Sequence, residues 1–151
     1  MAEASISLVE RQAIYDILAR YVWCMDTGDI EGVVATFTPD GVVKDVTGKR
    51  WDAAAGGARG FATHFLTRPH RRGGQHHVQH LFVEPALAGG YRVMSYWVSM
   101  QWDAEHDTKA IRAMGSYLDT CVQVDGQWRI QEKIIDPWSS ASAPFRKETE
   151  A

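Results

Sequence analysis

The chain has 151 residues, 45% hydrophobic and 23% charged, which suits one domain with a real core and argues against disorder or a second domain. Net charge is −3 and the basic residues cluster only at Arg68, His70, Arg71 and Arg72, too small a cationic surface for nucleic acid. Uncharged stretches are too short to cross a bilayer, and Cys24 and Cys121, far apart in the chain, match neither a disulfide framework nor a metal knuckle, so both read as small core residues, with a bridge between them as the alternative.

Residues 1–7 lack a basic segment followed by an apolar run, so no secretory signal and a cytoplasmic location are expected. Ser7 and Glu10 then stand three residues apart, the spacing of a capping box, and predict a helix start. Ile14, Ile17, Leu18, Tyr21, Val22 and Met25 recur at three- and four-residue spacing and carry that helix to about residue 26. Gly28 can adopt a left-handed C-cap, and Asp29 can cap a second short helix bearing Ile30, Val33, Val34 and Phe37. Thr38-Pro39-Asp40-Gly41 reads as a turn and 42–46 as a short strand. The Ala/Gly-rich run from Ala53 to Gly60 leads into a third helix, about 58–66, ended by Pro69, with an exposed loop over 71–74.

From Gln75 onward the pattern is β. Segments 76–84, 91–102, 109–124 and 127–135 read as strands, separated by 85–90, by 103–107 and by the two-residue hairpin turn Asp125-Gly126. Helices followed by consecutive antiparallel strands predict an α+β fold. One domain over 1–138 would wrap a curved antiparallel sheet around N-terminal helices, with a polar tail over 139–151 as a loose end or oligomer contact. Such a sheet, partly closed by helices, leaves a dry hollow suited to a small apolar ligand.

Six tryptophans, five tyrosines and five phenylalanines supply core volume and candidate pocket walls. Alternation puts Tyr91, Val93, Ser95, Trp97 and Ser99 on one face of the second long strand, and Arg92, Met94, Tyr96, Val98 and Met100 on the other. Alternation does not say which face looks inward. Tyr96 or Trp97, with Met114, Ser116 or Tyr117 and with Trp51 from the helical side, are therefore candidate substrate-binding walls, and plain core filling is their ordinary alternative. His76, His77 and His80 invite a metal reading, but alternation puts His76 and His80 on one face and His77 on the other, so they do not converge and no metal is expected. His64 and His70 flank a helix end and read as solvated. No G-x-S-x-G, P-loop or Rossmann fingerprint is present, so no nucleotide cofactor is implied.

Tyr21-Val-Trp-Cys-Met-Asp26-Thr-Gly-Asp29, Phe37-Thr-Pro-Asp40-Gly41, Gln75-His76-His77-Val78 and Asp125-Gly126-Gln-Trp128-Arg-Ile130 together resemble the SnoaL-like branch of the nuclear transport factor 2-like (NTF2-like) superfamily over nearly the whole chain. The resemblance implies a cone-shaped α+β barrel. In scytalone dehydratase and the bile-acid dehydratases a helix-borne aspartate and a strand-borne histidine form the acid/base unit, and Asp26 and His76 match them. Tyr21, five residues before Asp26, matches a tyrosine of the bile-acid enzymes. One departure is plain: scytalone dehydratase has a second histidine on the third long strand, where Met114 stands here.

The residues support the same chemistry without the family. Histidine exchanges a proton near neutral pH, a carboxylate accepting its ring N–H fixes the tautomer, and a phenol can hydrogen-bond an oxygen that gains charge. Each residue also has an ordinary reading: Asp26 as a helix-end turn, His76 as an exposed strand-start residue, Tyr21 as core. The expectation is a cofactor-independent lyase acting on a small, largely apolar, cyclic or aromatic molecule, losing water or a small carbonyl. An isomerase, a cyclase, an epoxide hydrolase, or a noncatalytic binder such as a dioxygenase small subunit are the alternatives. A homodimer or homotrimer is expected, because the outer sheet face would otherwise expose too much apolar surface.

Overall fold

The long first helix is started by two reciprocal hydrogen bonds. In the computed structural model, which describes residues 6–68 and 73–139, the Ser7 hydroxyl accepts from the Glu10 N–H at 3.2 Å and the Glu10 carboxylate accepts from the Ser7 N–H at 3.1 Å. Helix α1 (Leu8–Thr27) buries Ile14, Ile17, Leu18, Tyr21 and Cys24 along the expected stripe and stops at Gly28, whose left-handed φ of 77° lets its N–H reach the Cys24 carbonyl. Asp29 then caps α2 (Ile30–Ala35) by accepting from the Gly32 N–H at 2.8 Å.

The turn expected at Thr38-Pro39-Asp40-Gly41 is instead absorbed into strand β1 (Phe37–Lys44). Phe37 pairs with Ile130 and Val42 with Glu132, so the Pro-containing stretch bulges against a shorter length of its partner. A two-residue strand β2 (Arg50–Trp51) folds back on β1, with Val43 opposite Trp51. The loop between them is organised by Asp45, whose carboxylate accepts from the Thr47 N–H (2.8 Å), the Thr47 hydroxyl (2.6 Å), the Lys49 N–H (3.2 Å) and the Trp51 indole N–H (2.7 Å). After a 3₁₀ turn at Ala53–Ala55, helix α3 (Gly57–Leu66) buries Ala58, Phe61, Ala62 and Phe65. Pro69, its expected terminator, and residues 71–72 lie outside the described residues. Gly74, expected in that loop, already pairs with Gln101.

The meander follows within two residues of its expected bounds at each end: β3 (Gly74–Pro85), β4 (Tyr91–Asp103), β5 (Thr108–Val124) and β6 (Gln127–Pro137). Asp125 (φ 50°) and Gly126 (φ 75°) both take positive φ in the tight turn between β5 and β6. Strand order is β2-β1-β6-β5-β4-β3, and β1 joins β6 in parallel, so the unclosed sheet is mixed rather than wholly antiparallel. Its β3 edge meets α1. Val93, Ser95 and Trp97 of β4, and Tyr117, Asp119 and Cys121 of β5, are buried on the inward face, while Tyr96 and Met114 are 40% and 41% exposed on the outer one.

A register irregularity between Gln79 and Phe82 breaks the alternation of β3. His80, at φ 59°, is thereby exposed and turns its ring edge-on to Tyr96, 5.8 Å away, so it does not share the face of His76 as simple alternation expects. Gly115 lies opposite Trp97 in the ladder. A Cβ there would overlap the Asp136 carbonyl oxygen and come within 2.9 Å of Trp97 Cζ2.

Two outcomes follow from this packing. Gly115→Ala should cost about 1–3 kcal/mol in chemical denaturation, the ordinary penalty of overpacking, and should shift Trp fluorescence because Trp97 must move. At Asp45 burial pushes the carboxyl upward, but hydrogen bonds from Thr47, Trp51 and Lys49 prevail and hold it below its usual range. A depressed carboxyl adds stability above its unfolded pKa and loses it as pH falls through the folded value. Asp45→Asn should therefore cost roughly 1–3 kcal/mol at neutral pH, and its stability should fall less than the parent's between neutral and acid pH in parallel melts.

Candidate active site

Asp26 sits in the last turn of α1, where the helix runs beside edge strand β3. Its carboxylate engages one residue twice: Oδ2 accepts the His76 backbone N–H at 2.9 Å and Oδ1 lies 2.6 Å from His76 Nδ1. The first bond fills a donor that the edge strand would otherwise leave open. The second sets which ring nitrogen faces the carboxylate: an ionised carboxylate can only accept, so Nδ1 carries a hydrogen, and in the neutral ring Nε2 is the nitrogen that has the lone pair. The two side chains are 17% and 16% exposed, sheltered yet in contact with water. One flank of the pair faces an outer groove that Tyr15, Trp23 and Gln75 also line.

His76 also forms part of the wall of an interior cavity. The cavity volume is about 50 Å³, and Tyr21, Val22, Met25, Phe61, Phe65, Trp97, Tyr117 and Ile135 complete its lining, with Val46 at the loop shaped by Asp45. Among these lining residues His76 is the one imidazole. Trp97 and Tyr117 stack at 5.7 Å with planes 20° apart, and the Trp97 indole N–H donates to the Ser116 carbonyl at 3.1 Å, so these two walls are fixed by ring contact and hydrogen bond. Tyr21 meets Phe37 and Tyr117 edge-on at 5.9 and 6.5 Å. Among the described residues no group of three or more His, Cys, Asp or Glu side chains is arranged to hold a metal ion. None of their helices is long and apolar enough to cross a membrane.

The structure thus brings together five of the candidate residues, His76, Asp26, Tyr21, Trp97 and Tyr117, and leaves the other four, Trp51, Tyr96, Met114 and Ser116, out of the cavity lining. Tyr96 and Met114 are on the outer face because the helices pack against the Trp97 side of β4. Trp51 is buried, but its indole is committed to Asp45 and its ring lies under the Lys49 ammonium, 3.5 Å from the centroid, so it braces the rim loop rather than lining the cavity. Sequence reasoning missed Phe61 and Phe65, whose i,i+4 spacing on α3 was the available signal, and Ile135, which alternation on β6 could have placed. Val46 had no such signal, since its place depends on the folded loop. The Asp119–Lys133 pair beneath the cavity was missed as well: Nζ lies 2.9 and 3.1 Å from the two Asp119 oxygens, and both residues are essentially inaccessible. Burial pushes the Asp119 carboxyl up from its ordinary range while the Lys133 ammonium pulls it back.

Comparison with known proteins agrees with this architecture. An NTF2-like protein with a cystatin-like fold from Novosphingobium aromaticivorans superposes with a TM-score of 0.74 at 19% identity, covering 89% of this chain and 86% of that one. A candidate scytalone dehydratase from N. aromaticivorans DSM 12444 gives 0.71 at 22% identity over 87% and 86% of the two chains. Rv3472 of Mycobacterium tuberculosis, a protein of unknown function, gives 0.68 at 28% identity over 85% and 72%. No curated protein matches the chain. The SnoaL-like domain family matches residues 7–133, spanning the helices, the cavity lining except Ile135 and both members of the His–Asp pair, and the chain belongs to that family.

Proposed function

We propose that this protein is a cofactor-independent small-molecule lyase that removes water or a small carbonyl compound from a largely apolar cyclic or aromatic substrate. The observation that carries the reading is the 2.6 Å contact between Asp26 and His76 Nδ1 with the same ring in the wall of an aromatic cavity. The neighbour described as a candidate scytalone dehydratase supports the same class.

Asp26 holds the Nδ1–H, so Nε2 is the base. In a dehydration it takes a proton from the carbon beside a carbonyl, and the imidazolium then gives that proton to the departing hydroxyl, which leaves as water. In the carbonyl-releasing variant Nε2 takes the proton of a β-hydroxyl, the adjacent C–C bond breaks to release an aldehyde, and the electron pair left on the ring-bearing fragment is protonated by the imidazolium. Both routes place transient negative charge on a substrate oxygen, to which Tyr21 donates a hydrogen bond. The aromatic walls exclude water and select flat, apolar substrates. Phe82, Tyr96, Ile111 and Met114 stand exposed on β3, β4 and β5, and a homodimer or homotrimer covering them is part of this proposal.

The test is turnover of hydroxylated and carbonyl-bearing aromatic and alicyclic compounds, followed by product mass. Loss of water or of an aldehyde is expected. Unchanged mass would make the protein an isomerase or cyclase, gain of water an epoxide hydrolase, and saturable binding without any product a ligand carrier. For a compound that turns over, His76→Ala should abolish activity with circular dichroism unchanged, and retained activity would remove His76 from the mechanism. Asp26→Asn should lower kcat by about 10²–10⁴-fold, the range of a positioned acid–base contribution.

A further inference from the structure

Lys133 lies on β6 directly opposite Asp119 on β5, and both side chains point inward. A lysine 1% exposed is unusual, because its ammonium gives up hydration that a single carboxylate does not fully replace. Here two further partners contribute. The Lys133 Nζ stands 3.8 Å from the centroid of the Tyr117 ring and 4.4 Å from that of Tyr21. Both rings line the cavity on which His76 opens, and Lys133 is not among the lining residues, so the cation sits behind the aromatic wall. Apolar residues of similar volume often replace a buried ion pair at no cost in stability, so stability alone gives little reason for such a pair.

We infer that Lys133 is a positioning residue that acts through Tyr21 and Tyr117, making their end of the cavity selective for a ligand oxygen that bears negative charge, a phenolate or an enolate. The cation on the ring faces draws electron density from the phenols and strengthens their hydroxyls as hydrogen-bond donors in a site of low dielectric. Asp119 holds the ammonium in place and keeps the buried charge balanced. Because Tyr117 is itself stacked on Trp97, the device is rigid before any ligand arrives, the condition under which such donors act without reorganisation. The inference deepens the lyase reading by naming the substrate class, a ring compound whose oxygen becomes anionic as the proton leaves. It rests on that reading for its catalytic meaning.

Binding alone tests it. The probe is 4-nitrophenol at a pH where it is fully ionised, compared with nitrobenzene, a neutral compound of similar shape, each titrated against the full chain. The parent should prefer the phenolate, and Lys133→Met combined with Asp119→Asn should reduce that preference at least tenfold, the order of one hydrogen bond to a charged group, while nitrobenzene affinity changes little. Tyr21→Phe and Tyr117→Phe leave the ion pair intact, and at least one of them should lower the preference comparably, which keeps the inference testable if the double variant does not fold. Repeating the titrations in His76→Ala removes the imidazole as a source of attraction, and the preference should persist there. A parent that fails to bind the phenolate, or binds it no better than nitrobenzene, overturns the inference. So does a preference unchanged in the folded double variant or in both tyrosine variants. A lyase whose phenolate preference ignores Lys133 loses only the inference, whereas a preference that persists in a protein indifferent to His76 loses only the lyase reading.

Discussion

A single carboxylate ties the helical layer of this protein to the open edge of its sheet. Asp26 receives both the backbone N–H and the ring Nδ1–H of His76, so the imidazole is fixed relative to its own main chain as well as to α1. The arrangement gives the edge strand a partner on its open side and fixes the imidazole in the cavity wall. Capping of α1 by Ser7 and its termination at Gly28 bear on the site because they set the helix's extent and place Asp26 in its last turn.

The cavity owes its shape to aromatic packing that is itself constrained. Trp97 lies across from Gly115 because no side chain fits there, Tyr117 stacks on Trp97, and Tyr21 meets Tyr117 edge-on above the Lys133 ammonium. At the rim, Asp45 gathers four hydrogen bonds into a loop that carries Val46 to the opening. Polar groups therefore organise the apolar chamber from behind and around it, while its surface stays largely apolar apart from His76 and the phenols.

What the sequence made legible was mostly local. The Ser7/Glu10 box, Gly28 and the Asp125-Gly126 turn act over a few residues, so their signals survive without tertiary context. The Thr38–Gly41 stretch misled because its conformation is set by pairing with β6, some ninety residues away in the chain. Alternation separated Tyr96 from Trp97 correctly but carried no information on which of them would face the helices. It misplaced His80, where an irregularity in β3 resets the faces. Asp26 and His76, fifty residues apart, were suggested by their chemistry and by the family resemblance. Asp119 and Lys133 passed unnoticed because charged residues in a strand are ordinarily solvated, and only the fold reveals that both point inward.

The central claim is that Asp26 holds His76 as the Nδ1–H tautomer and leaves Nε2 free as a base. Nitrogen-15 NMR of the histidine rings reads this directly, at a pH where the neutral imidazole dominates and with the His76 signals identified by their absence from His76→Ala. The account predicts a protonated Nδ1 whose proton resonates far downfield through its bond to Asp26, together with an unprotonated Nε2. A ring protonated at Nε2, or one averaging between both tautomers, would contradict it.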